Sequence, residues 1–336
     1  MQTNNKYRLN IERMIFSLLI VLFFAGCSKD DNDIDNGMGE NAIAFDCSTS
    51  NLRAAKAVTD DMQYFRVSAI WEKETGVYEP FMTNQLVEKQ GDSWVYSPIR
   101  YFPGYGSVSF FAYSPATPSG VDPELININN SANQITIQYN VSTNYQQQED
   151  FLVATSLDRR ESPVKLKFQH ALSSVVFQAC SNEPNVAFRI NEIKLINLFS
   201  TGLITGVAAG ETSTWLWYEH LVPQNYVVYQ KYPFETQCGD YKEVGGLMVL
   251  PQKMVYPIEK PVNNFEIVVS YEKVGTPNSE TKGRYTLDDD FVFEMGKKYT
   301  FNLSLGTKPS SRSSRQAIDL TKTEIKWHIV CEPNNE

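Results

Sequence analysis

Apolar side chains return at every second position through much of this sequence. Phe65, Val67, Ala69 and Trp71 alternate with Arg66, Ser68 and Ile70. Val164, Leu166 and Phe168 alternate with Lys165 and Lys167, and Phe265, Ile267, Val269 and Tyr271 form another stripe. Tyr299, Phe301, Leu303 and Leu305 do the same, as do Ile325, Trp327 and Ile329. A strand sends successive side chains to opposite faces, so each stripe predicts a strand with one packed face and one wet face. No long window has a helical period, and turn pairs such as Pro103-Gly104, Ser119-Gly120 and Gly245-Gly246 divide the stripes. Without helices between strands, a parallel sheet with helical crossovers is excluded. The pattern predicts an all-β chain of antiparallel sandwiches with Greek-key connections.

Composition narrows what such a chain can do. It is 42% hydrophobic, which excludes disorder along the whole of its 336 residues. A net charge of −9 argues against a nucleic-acid partner, which needs a basic face to displace counterions. GxxxxGK[ST], GxSxG and HExxH motifs are absent, so phosphate-loop, hydrolase and zinc-protease readings have no support. His170 follows a strand-like run with no nucleophile motif near it, and reads as a hydrogen-bonded strand end. Asp288, Asp289 and Asp290 lack the other ligands of a calcium loop and read as a hairpin turn. No catalytic residue, metal ligand or cofactor site is expected.

The amino terminus reads as an address. Lys6, Arg8 and Arg13 precede an apolar run from Met14 to Ala25, interrupted only by Ser17. At about 1.5 Å of rise per residue this run is too short to cross a bilayer. It fits residues 1–26 as a secretory signal. Ala25 and Gly26 before Cys27 resemble a bacterial lipobox, in which the cysteine is acylated and becomes the first residue. The other reading is an ordinary signal with a chance cysteine. Residues 27–41 follow as an acidic tether (Asp30, Asp31 and Asp33), similar to the signal that exports Bacteroides-type lipoproteins to the outer face of the outer membrane. Cys47, Cys180, Cys238 and Cys331 contain no CxxC, and read either as disulfides of an exported protein or as buried thiols.

The polar run Asp158 to Glu161 before Pro163 places a boundary between one sandwich at 42–160 and a second at 161–332. A Ser- and Arg-rich loop, 308–316, precedes a final strand at 324–330. Trp215, Trp217, Tyr218, Tyr226, Tyr229 and Tyr232 concentrate aromatics in one stretch. Buried they are core; exposed they could stack on sugar rings.

Several segments, in order along the chain, resemble the fimbrillin family, the subunits of type V pili of Bacteroides-type bacteria. They are the end at Cys27, the Ala42-Ile43-Ala44-Phe45 run before Arg53, the Phe65 to Trp71 strand and Gly91 to Pro98. Tyr101-Phe102-Pro103, Val108 to Pro115, Asp150 to Ala154, Lys167 to Ser173 and Gly296 to Phe301 complete the series. The resemblance implies two tandem transthyretin-like Greek-key β-sandwich domains in a lipoprotein precursor held in the outer membrane through Cys27. It implies cleavage between Arg53 and Ala54, loss of the first strand, and filling of the vacated groove by a strand of another pilus subunit. The physics is consistent, since an open apolar edge seeks a strand and head-to-tail joints propagate into filaments. Arg312 and Arg315 are rival sites of cleavage by composition. A disulfide at Cys47 would hold the first strand after a cut. The final strand can complete its own domain or be donated. The expected role is a structural or accessory subunit of a surface fimbrium in adhesion, partnered by other pilus subunits and by a host or bacterial surface receptor. The alternative is a glycan-binding surface lipoprotein of an uptake system.

Overall fold

The computed structural model describes residues 41–48, 62–118, 120–129, 133–209, 212–229, 234–236, 239–253, 265–287, 291–306 and 318–326. In chain order the strands are β1 (Phe45–Ser48), β2 (Tyr64–Glu74), β3 (Val77–Gln90), β4 (Ser93–Val95), β5 (Ser107–Ser114), β6 (Val121–Asn129) and β7 (Gln134–Asn140). Next come β8 (Leu152–Arg159), β9 (Val164–Lys167), β10 (Gln169–His170), β11 (Ser173–Ser181), β12 (Phe188–Ala209), β13 (Thr212–Tyr229) and β14 (Phe234–Glu235). The last are β15 (Lys242–Val249), β16 (Gln252–Lys253), β17 (Glu266–Lys273), β18 (Thr281–Thr286), β19 (Val292–Phe293), β20 (Lys297–Leu305) and β21 (Ile318–Lys326). Among the described residues the only helical turn is Tyr145–Gln147, capped by the Asn144 side chain. The all-β expectation holds.

Two main sheets carry the amino-terminal and central strands. A six-stranded sheet runs β10-β8-β5-β2-β3-β4, and a seven-stranded sheet has the path β18-β17-β12-β7-β6, with β13 and β14 also on β12. A four-stranded sheet, β15-β11-β20-β21, and the pair β1-β9 accompany them. Pairing is antiparallel except at β1–β9 and β11–β20. The polar turn expected near 160 lies between β8 and β9. Hydrogen bonding crosses it both ways, because β9 pairs with β1 and β12 pairs with β7.

Two apolar cores form. The smaller packs Ile43, Phe45, Val164 and Leu166 with Phe65, Val67, Trp94 and Phe110. The larger takes Ile70, Phe111, Tyr113 and Val153 with residues of the seven- and four-stranded sheets. Neighbours such as Phe110 and Phe111 thus serve different cores, and every residue of β5 is buried. The expected wet face of β2 is therefore covered: Ser68 and Ile70 are as buried as Val67 and Ala69. Alternation revealed the strand, but a sheet covered on both sides needs apolar or small residues on both faces, which Ser68, Ser109 and Phe111 supply.

Candidate strand-acceptor site

Residues 41–48 lie in a slot, hydrogen-bonded to β9 and the residues before it on one side and, through residues 41–43, to a second wall on the other. On one side β1 runs parallel to β9, with Phe45 opposite Val164 and Cys47 opposite Leu166. Val164 N–H donates to Ala44 O at 2.8 Å. On the other side the chain leading from β4 to β5 closes over the segment. Ile43 N–H donates to Arg100 O at 2.8 Å, and Phe102 N–H donates to Asn41 O at 3.0 Å. Ala42 and Tyr101 form an antiparallel bridge. Two hydroxyls add partners for Ala42, Ile43 and Ala44. Tyr96 OH donates to Ile43 O at 2.9 Å. Ser162 Oγ donates to Ala42 O at 2.5 Å and accepts from Ala44 N–H at 3.0 Å. A segment of this kind has little reason to leave unaided, because each buried amide left unpaired costs about 1–3 kcal/mol.

The floor of the slot is aromatic. Ile43 is fully buried and Phe45 nearly so. The Phe45 ring meets Phe65 at 5.6 Å, Tyr96 at 5.5 Å and Phe110 at 5.9 Å between centroids. The phenols and thiols here are neutral: burial raises the Tyr96 phenol above its ordinary range, and burial, with Asp46 beside it, raises the Cys47 thiol strongly. Cys47 is a free thiol, so no disulfide holds the segment. The alternate positions Ile43, Phe45 and Cys47 define three pockets in sequence: large aliphatic, aromatic, small.

The sequence reading found this segment through Ala42 to Phe45, and missed its second wall. Nothing in the composition of residues 96–102 says that they bond to residue 43. Tyr96 and Arg100 meet it through an irregular loop, where no periodicity operates. Cys27, Arg53 and Ala54 lie outside the described residues, as do Arg312, Arg315, Cys238, Cys331, Trp327 and Ile329. The observed last strand, β21, begins at Ile318, ahead of the expected 324, and pairs along its whole length with β20.

Other candidates resolve as structure. His170 Nδ1 lies 2.7 Å from Asp150 Oδ2 in the interior. Trp215 is buried against Phe111, with its indole N–H on Thr155 Oγ1 at 2.8 Å. Trp217 donates to Ala171 O at 2.8 Å, and Tyr226 is fully buried. Tyr218 faces solvent, whereas Tyr232 and Asp288 to Asp290 lie outside the described residues. Among the described residues no three His, Cys, Asp or Glu side chains gather as a metal site, and no helix is long and apolar enough to cross a membrane.

Comparison with known proteins points one way. A curated relative, fimbrium subunit Fim1C from Phocaeicola vulgatus, is 25% identical over 188 residues, 48% of this chain. That match spans about half the length of the relative, 50%. The crystal structure of a fimbrial protein from Bacteroides vulgatus superposes over 86% of this chain and 100% of its own, with a TM-score of 0.61 and 17% identity, and so shares the fold. The family model described as fimbrillin-like matches residues 53–326, and the chain belongs to that family.

Proposed function

We propose that this chain is a subunit of a cell-surface pilus, structural rather than catalytic, which assembles by β-strand exchange and supports adhesion. The observation that carries the proposal is the slot holding residues 41–48. It combines backbone partners on both sides of residues 41–44 and along β9 beyond them with three apolar pockets, and its occupant is covalently continuous with β2 through residues 49–61. Cleavage at Arg53-Ala54 cuts that connection. The freed slot then presents unpaired amides and the rings of Phe65, Tyr96 and Phe110 to water, a state that a strand from another subunit relieves.

In this reading the chain is exported and acylated at Cys27, held at the outer membrane by its lipid, and released from that anchor by the same cut. The two apolar cores support a tandem transthyretin-like plan, stitched together by β7 and β9. Among the described residues β21 is the last strand, ends its four-stranded sheet and has one strand neighbour there. It can be exchanged by opening one ladder, whereas the amino-terminal slot bonds residues 41–44 on two sides and Phe45–Ser48 along β9, which favours β21 as the donor and that slot as the acceptor. Burial of Trp215 and Tyr226 takes two rings out of the aromatic concentration that would favour glycan binding, while Tyr218 stays exposed.

The test is the amino-terminal identity of the surface-exposed protein by mass spectrometry, read together with its size in detergent. Chains beginning at Ala54 in a denaturant-resistant ladder are expected. Acylated Cys27 chains present only as monomers would contradict the proposal.

A further inference from the structure

The rim of the amino-terminal slot carries more positive than negative charge. Along β9, Val164 and Leu166 are buried, and Lys165 and Lys167 between and after them are exposed. In the parallel register with β1, Lys165 stands opposite Asp46 and Lys167 opposite Ser48. Arg100, whose carbonyl accepts from the Ile43 N–H in the second wall, is exposed as well. The nearest acid ahead of β9 is Glu161. Among the described residues Lys165, Lys167 and Arg100 form no ion pair, so the fold does not neutralise them. Departure of residues 41–48 takes Asp46 away and leaves three cations around the opening, on a chain whose net charge is −9.

The chain repeats the pattern of the slot's occupant near its other end. Ala44-Phe45-Asp46-Cys47-Ser48 is matched in residue class, position by position, by Ala317-Ile318-Asp319-Leu320-Thr321. Both run small, large apolar, acidic, apolar, hydroxyl. The last four residues of the second copy open β21. In the β20–β21 ladder, Ile318 and Leu320 stand opposite the fully buried Leu305 and Leu303, and Asp319 stands opposite Ser304. Residues directly opposite each other in a ladder share a face of the sheet. The segment therefore has the division between core side and outer side that the slot imposes on β1.

Apolar alternation alone does not single out an occupant. Val164-Lys165-Leu166 and Ile325-Lys326-Trp327 alternate as well, with lysine between the apolar residues. Placed in the slot, such a lysine would stand opposite Lys165, and like charges directly opposite each other destabilise a pair of strands. An acid there is attracted instead. Exposed charge pairs add little to final affinity, but complementary charge speeds encounter and suppresses wrong partners. Two chains of net charge −9 repel at long range, and a locally positive rim offsets that repulsion for an acidic segment.

We propose that Lys165 and Lys167, with Arg100 across the opening, select the incoming strand by charge, and that the strand they select is residues 317–321 of a second copy of this chain. Asp319 then takes the place of Asp46 opposite Lys165, and Ile318 and Leu320 take the pockets of Phe45 and Cys47. This inference rests on strand exchange as the mode of assembly, and adds to it the identity and register of the occupant. A chain whose donor fits its own acceptor repeats head to tail, which is what a filament requires.

The test uses the full chain cut after Arg53 and three labelled peptides: residues 41–48, residues 314–321, and residues 314–321 carrying Asp319→Lys. Entry into the slot is timed by fluorescence polarisation. The 314–321 peptide is expected to enter, and its Asp319→Lys form to enter at least about fivefold more slowly in low salt. That gap should narrow in about 1 M salt, where the screening length is about 3 Å. In a chain carrying Lys165→Glu and Lys167→Glu the order of the two peptides should invert, an outcome that damage to the fold does not produce. Equal rates for both peptides in both chains, or entry of the 41–48 peptide without entry of the 314–321 peptide, overturns the proposal. Failure of the 41–48 peptide itself to enter sinks strand exchange, and this inference with it.

Discussion

Phe45 fills the central pocket of the amino-terminal slot, against Phe65, Tyr96 and Phe110. Phe45→Ala removes a ring whose surroundings cannot collapse without moving β9 or the Tyr96 loop. We expect a loss of about 3–5 kcal/mol, measured by urea denaturation of the uncut chain. In a chain cut after Arg53 and stripped of the strand, the same substitution should have no effect on stability, because the residue is gone. A second residue-scale prediction concerns Tyr113. Burial pushes its phenol up to about 12, against smaller opposing effects of Arg66 and of the hydrogen bond to Asn84 Oδ1. The folded state therefore holds this proton more tightly than the unfolded state, where the phenol titrates near 10. That stabilisation is complete below pH 10 and is lost as pH rises through about 12. The melting temperature should fall across that window, and Tyr113→Phe should flatten the fall in part. Tyr271, also pushed to about 12, and Tyr96, Tyr139 and Tyr226, whose phenols burial raises as well, will keep the remainder. At this scale the sequence was informative where one residue acts through size: Phe65 stood in an apolar stripe, and Ile43 and Phe45 in the run that carries the family resemblance. It was silent about Ser162 and Arg100, whose roles depend on which backbone groups a distant loop brings near.

At the scale of elements, β12 shows what close packing of sheets demands. Gly206 lies between Ile135 of β7 and Trp215 of β13. A Cβ placed there would stand 2.9 Å from the Phe111 ring and 3.0 Å from the Trp215 ring. Gly206→Ala should cost about 1–3 kcal/mol through overpacking, read as a lower urea midpoint with an unchanged slope. Period-two stripes exposed β2, β9, β17 and β20, because a half-covered strand writes its orientation into its residues. Three things were not legible. β5 is covered on both faces, so its pattern Ser-Val-Ser-Phe-Phe-Ala-Tyr-Ser does not alternate cleanly. The length of the β12–β13 hairpin arises from pairing with β17 and β7 in succession along one strand. The parallel neighbours β1–β9 and β11–β20 are set by chain routing, which leaves no local trace.

At the scale of the molecule, the fold and family were legible because many weak motifs occur in one order across the chain, and the family match over residues 53–326 rests on that same breadth. The proposed function concentrates in the part ahead of residue 62. Replacing Arg53 with alanine should leave the fold intact and abolish the high-mass ladder, as judged by gel electrophoresis of surface material. If Arg312 or Arg315 were the functional cut instead, the ladder would persist in that variant. The most direct measurement uses purified chain cut after Arg53 by an arginine-specific protease, with its mass followed in denaturant with and without an excess of free peptide spanning residues 41–48. We predict that the cut chain loses its first strand and forms denaturant-resistant assemblies, and that the peptide returns to the slot and blocks them. A cut chain that stays monomeric, or that assembles equally well with the peptide present, would contradict a vacated amino-terminal slot as the joint between subunits.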